Sequence, residues 1–166
     1  MAKALLVSRQ DVVRFTNMNG GISTDDFIQY VSIAQDIHIQ STLGTKLLEK
    51  IQAEIIAGTL ANPYKALLET YIKPTLIHAS MLEFLPTAAI TIGAKGVYKH
   101  GAENSETVSK EEIDFLVEKQ RQTFMHYKER CVAYSCYNNT DFPEYNTNTG
   151  SDMSPNEDTN FSGWVL

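Results

Sequence analysis

The sequence is poor in cysteine, has no long apolar run, and carries no Lys or Arg beyond residue 137. Its two cysteines, Cys131 and Cys136, sit five positions apart inside a helical pattern. That spacing puts them on different helix faces and fits neither a zinc nor a redox signature, so they read as two small apolar fillers in a reducing compartment. No stretch approaches the ~18 apolar residues of a membrane span. The opening Met1 to Val7 is too short for a signal peptide and has no cleavage-like site after it. A soluble chain kept in the cytoplasm is expected, with no membrane partner.

Motifs that carry chemistry are equally scarce. There is no Gly-x-Ser-x-Gly, no His-Glu-x-x-His and no dinucleotide fingerprint. Gly93-Ala94-Lys95-Gly96 has the wrong spacing for a phosphate loop and no hydroxyl residue after its lysine. His38, His78 and His126 fall on predicted helices without a second ligand at metal spacing, and His100 falls near a predicted turn. Glu111, Glu112, Asp114 and Glu118 cluster where a helix begins, which matches the positive end of its dipole better than acid–base work. The expectation is no enzyme, no catalytic residue, no metal and no cofactor.

What is present is an uneven distribution of charge. All 14 Lys and Arg precede residue 138, together with 15 of the 20 acidic residues, so that part is near −1. The remaining 29 residues hold five acids and no Lys or Arg, giving −5. Nucleic-acid binding relies on clustered positive charge that displaces phosphate counterions, and this chain has no broad cluster. A basic stretch with Lys119, Arg121, Lys128 and Arg130 supports a weaker alternative, a small helical DNA-binding or regulatory module. The residues interleaved with it, Phe124, Tyr127 and Cys131, look like a packing seam.

Apolar spacing predicts a mainly α fold: a compact bundle of about five helices with a short β-hairpin and an extended C-terminal arm. Ser8 caps a short helix to Phe15, and Asn17 to Gly21 breaks it. Thr24-Asp25-Asp26 opens the second, whose stripe is Phe27, Ile28, Val31, Ala34, Ile37 and His38, widened by Tyr30 and Ile33. Gly44 ends it, and Thr45 is the expected cap of a third helix to Ala57, with Leu47, Leu48, Ile51 and Ile55 inward. Pro63 opens the longest apolar helix, reaching about Leu85 and expected at the centre, with a kink at Pro74 where a backbone donor is missing.

Ile90 to His100 has β-branched residues around a glycine turn and reads as the hairpin. A lone hairpin is marginal, so Ile92, Lys95, Val97 and Tyr98 are expected to lean on helices or a neighbouring subunit. Ser109 to Glu112 is a capping-box pattern. Ile113, Val117, Gln120, Phe124, Tyr127, Cys131 and Tyr134 then form a seam for another helix, most simply the long one.

Two regions follow: a helical domain over residues 1–137 and an acidic extended arm over 138–166. The arm is rich in Asn, Thr, Asp and Ser, which makes regular structure unexpected. Ordering it would cost ~1–2 kcal/mol per residue in backbone entropy, while burying Trp164 fully returns only ~4–6 kcal/mol. The arm is therefore expected to gain order on partners through Phe142, Pro143, Tyr145, Phe161, Trp164 and Leu166.

Several features in order complete a pattern. They are the Thr24-Asp25-Asp26-Phe27-Ile28 opening, Thr42-Leu43-Gly44 with Leu47-Leu48, Tyr71-Ile72-Lys73-Pro74 with Leu76, Lys95-Gly96-Val97, Glu103-Asn104-Ser105, and Phe142-Pro143-Glu144-Tyr145. Over residues ~5 to 145 the chain resembles the head–tail connector (adaptor) proteins of tailed phages, most closely the ring proteins of crAss-like phages and related Bacteroidetes proteins. That resemblance implies a non-enzymatic subunit, commonly repeated twelve-fold, in a ring under the portal protein and around the DNA channel. Identical subunits, the portal and other connector or tail proteins would be its partners. DNA would pass without specific binding. The location implied is the portal and neck of the virion, after assembly in the host cytoplasm.

Overall fold

A computed structural model describes residues 3–18, 23–88, 90–93, 96–99, 109–147, 150 and 152–156. The fold is mainly α. Helix α1 spans Arg9–Phe15, capped as expected by Ser8. The cap is reciprocal: Ser8 Oγ accepts from the Asp11 N–H, and the Asp11 carboxylate accepts from the Ser8 N–H at 2.9 Å. Two free amides of the first turn are thereby satisfied.

Helix α2 covers residues 24–43 and widens into a π turn at Gln35–Ile39. A π turn inserts one extra residue and re-aims the side chains around it. Here it accompanies a fully buried Gln35, whose Oε1 accepts from the Leu6 N–H and whose Nε2 donates to the Ala4 carbonyl, both at 3.0 Å. Those bonds tie the buried leading segment, Leu6 and Val7, to the bundle. Gly44 ends α2 at φ 77°, a conformation that favours glycine.

Helix α3 is Thr45–Ala57, closed by Gly58 at φ 67°. The Thr59 N–H returns to the Glu54 carbonyl and the Gly58 N–H to that of Ile55, which satisfies two of the last carbonyls. Thr45, however, does not cap α3 with its side chain, because Gly44 holds the cap position.

Helix α4 runs over residues 64–84, with a 3-10 turn at Leu85–Thr87. It is buried nearly all round from Thr75 to Leu82 and touches α1, α2 and the last long helix, the central position its apolar composition predicts. Pro74 is accommodated by a π turn at Leu68–Ile72 directly before it, with the Lys73 N–H reaching back to the Leu68 carbonyl. Thr75 Oγ1 donates to the Tyr71 carbonyl at 2.7 Å. The missing proline donor is thus absorbed by one widened turn, and the helix continues.

Two strands, β1 at Ile90–Gly93 and β2 at Gly96–Lys99, pair antiparallel with Ile92 opposite Val97 and Thr91 opposite Tyr98. Helix α5, Lys110–Tyr137, carries the expected Ser109–Glu112 capping box. Its seam packs on α4: Gln120 bonds His78, Tyr127 stacks on His78 with centroids 5.0 Å apart, and Tyr134 stacks on Tyr71 at 4.0 Å.

The segment after Asn138 departs from expectation. A 3-10 turn at Asn139–Asp141 leads into a sixth helix, α6, at Pro143–Asn146, packed against α3. Phe142 is fully buried, with edge contacts to Tyr64 at 5.6 Å, and Tyr145 lies in the same core. Residue 138 is therefore no domain boundary. Averaging composition over the whole polar stretch conceals two aromatic anchors that each bury a large apolar area.

Candidate interaction surfaces

Two concavities stand out on the described surface. One is a cleft of about 350 Å³ between α1, α4 and α5, lined by Asp11, Phe15, Glu69, Lys73, Ile77, His78 and Tyr127 among others. Its ionisable groups are each engaged with their own neighbours. Lys73 holds both Glu69 oxygens at 2.9 Å one helical turn away. Asp11 is partly buried, which opposes its charge. The Ser8 backbone and hydroxyl bonds, with Lys73 and Arg14 nearby, outweigh that and leave its carboxyl below the usual range.

His78 is held down by burial, and its Nδ1 accepts from Gln120 Nε2 at 2.9 Å. That places the proton on Nε2 and favours the neutral ring. Among the described residues no group of three or more His, Cys, Asp or Glu could hold a metal ion. Two other histidines also make packing contacts: His38 bonds Glu83 at 2.8 Å and lies against Phe124, and exposed His126 meets the edge of Tyr127. His100 lies outside the described residues. Cys131 is fully interior, and burial pushes its thiol up to about 12, with Ser135 opposing part of that shift.

The second concavity is an open groove of about 450 Å³ at the start of α5, lined by Glu111, Glu112, Phe115 and Leu116. None of residues 110–123 is buried, whereas Phe124, Cys131, Val132 and Ser135 are. Phe115 is 70% and Leu116 45% exposed. A large aromatic and a leucine side by side on an exposed helix end are the kind of patch that marks an interaction site. Phe15, on the lip of the first cleft, is exposed as well, and Tyr137 stands out at the far end of α5.

The residues singled out from the sequence fall into three groups. Phe142 and Tyr145 are interior, so they anchor the chain's own fold and are closed to a partner; Pro143 beside them is exposed. Ile92, Val97 and Tyr98 take part in the hairpin pairing, where only the backbone is described, and Lys95 lies outside the described residues. Phe161, Trp164 and Leu166 also lie outside them. Phe115, Leu116 and Phe15 were missed. Their signal was available: Phe115 and Leu116 fall between Ile113 and Val117, off the seam of α5, and an apolar residue off the buried stripe of an amphipathic helix is the one left for a neighbour.

The described residues form a mainly α-helical bundle whose exposed apolar side chains include Phe15, Phe115 and Leu116. The chain belongs to the family of unknown function DUF6712, whose sequence profile matches residues 39–154. No curated protein and no solved structure matches the chain. The matched stretch runs from the end of α2 to Ser154 and so takes in α3 to α6.

Proposed function

We propose that this protein is a structural subunit of a phage head–tail connector ring, joining the portal to the tail around the DNA channel by surface fit and without catalysis. The reading starts from the ordered run of features between Thr24 and Tyr145 that resembles connector proteins. The observation that carries it physically is the exposed Phe115–Leu116 pair on the unburied end of α5, set apart from a differently built cleft at Phe15. A closed ring needs two unlike faces on each subunit, because its contacts are head-to-tail. The hairpin and Pro143 are further contact points in this arrangement.

The DNA-binding alternative is weaker. Arg121 pairs with Glu118 at 3.4 Å and Arg130 lies over the Tyr71 ring at 5.6 Å, so part of the basic stretch already has partners. Native mass spectrometry of the full chain, alone and with its portal, tests the proposal. A ring-sized oligomer is expected, with the Phe115→Ser/Leu116→Ser double variant reduced to monomer while retaining its helical circular dichroism. A wild-type chain that stays monomeric in both settings would overturn it.

A further inference from the structure

The start of α5 has one face turned to its own bundle and one left open. On the first, Val117 packs against the core and Gln120 Nε2 donates to the His78 carbonyl at 3.0 Å. On the second stand the exposed Phe115 and Leu116. Glu112 lies three and four residues before this pair, and Lys119 four and three residues after it. Those spacings put all four side chains on one face of the helix. A carboxylate therefore sits one turn before the apolar pair and an ammonium one turn after it.

Both charges can serve a neighbour. Glu112 uses one oxygen, Oε2, to cap the helix, where it accepts from the Ser109 N–H at 2.8 Å. Lys119 is exposed, and among the described residues its ammonium has no ion-pair partner, whereas nearby Arg121 is paired with Glu118 at 3.4 Å.

The order acid, apolar pair, base is complementary to its own reverse. Consider two α5 helices laid antiparallel, with a two-fold axis at the midpoint of Phe115 and Leu116. Glu112 and Lys119 are each about 3.5 residues, ~5 Å along the axis, from that midpoint. Each copy's Glu112 then comes level with the other copy's Lys119, and the apolar pairs meet between two ion pairs. A parallel arrangement sets Glu112 against Glu112 and Lys119 against Lys119, which repel.

We infer that the free chain pairs with a second copy of itself through this face, α5 antiparallel to α5. Such a contact, about four helical turns per copy, is small beside the ~800 Å² per partner of a standard interface, so dilution reverses it. The inference shares with the ring reading only the exposure of Phe115 and Leu116. A two-fold pair closes after two copies, so it covers the surface a ring contact would use until ring assembly displaces it.

Sedimentation equilibrium of the full chain without its portal tests the pairing. Wild type is expected as a monomer–dimer equilibrium that weakens several-fold as salt is raised. Lys119→Glu sets carboxylates against each other and should weaken pairing about tenfold or more, with added salt now strengthening it. Glu112→Gln keeps the cap and should weaken pairing only a few-fold. The Ile33→Ser/Ile37→Ser variant, on the exposed part of α2, should pair like wild type. Circular dichroism checks that the helices persist in each. A wild type monomeric at millimolar concentration, pairing indifferent to Lys119→Glu, or pairing lost in the α2 variant with helices intact would each overturn the inference. Dimers that never form a ring with the portal sink the ring reading alone; rings from a chain that forms no dimer sink this one alone.

Discussion

Residues 142–145 and residues 152–156 belong to one polar, acidic stretch, yet different forces hold them. Phe142 and Tyr145 are sunk in the core beside Tyr64, Tyr134 and Cys136. From Asp152 to Asn156 no side chain is buried, and the segment is held by hydrogen bonds to Gln40, Ser41 and Thr45. The first is fixed by desolvated area, worth ~25 cal/mol per Å², and the second by exposed polar bonds worth ~0.5–1.5 kcal/mol each. Two aromatics in a short span suffice to fold a polar stretch, and a handful of surface hydrogen bonds holds its continuation only locally.

That contrast breaks first at Phe142. Phe142→Ala removes a fully buried ring and is expected to cost about 3–5 kcal/mol in urea unfolding, with an unchanged denaturant slope. A loss under ~1 kcal/mol would mean that residues 138–147 are as loosely held as residues 152–156.

A second expectation concerns alkaline stability. Cys131, three residues before the Tyr134 that meets Phe142, has its thiol raised by burial from 9.0 to about 12. Between those values the unfolded chain loses a proton that the folded chain keeps, so folding stability should fall as pH rises from about 9 to about 12. The slope contributed by this one group is at most ~1.4 kcal/mol per pH unit, and Cys131→Val should flatten it in denaturation curves taken across that range. Equal slopes in the two proteins would place Cys131 in a more polar setting than the core.

The smallest effect is at Thr45. Replacing it with alanine deletes the oxygen that accepts from Met153 and Gln40. Global stability should change by less than ~1 kcal/mol, while amide exchange at Met153 and Asn156 quickens several-fold and that of Tyr145 does not. Joint acceleration of all three would merge the two regions into one cooperative unit.

Much of the bundle was legible in advance because it depends on local rules. The Ser8 and Ser109 caps, the glycines at 44 and 58, and the α5 seam against α4 each follow from spacing and residue type within one or two turns. The π turn before Pro74 was not legible as such; a missing donor predicts a disturbance but not whether the helix bends or widens. Phe142 and Tyr145 were read as partner contacts because a window of Asn, Thr and Asp dilutes them. Their burial depends on Tyr64, far away in sequence, whose hydroxyl donates to Glu144 at 2.7 Å. Burial and that carboxylate together keep the Tyr64 phenol protonated well above its ordinary range.

The interaction surface shows the same division. Phe115 and Leu116 fall off the seam that Ile113, Val117 and Gln120 mark, but nothing local says that the first fourteen residues of α5 are at most half-buried, as Val117 is. Periodicity identifies which residues share a face; it does not tell how far along a helix its neighbour extends.

By itself, then, the chain's order of residues determined where helices begin and end and which stripe each turns inward, since those follow from hydrogen bonds and side-chain spacing within a few residues. Only the tertiary structure decided that the polar stretch after Tyr137 returns to α3 and α2, and that Phe115 and Leu116 near the start of α5 stay exposed. Both are outcomes of competition among surfaces distant in sequence, and burial is a property of the whole assembly of helices rather than of any one of them.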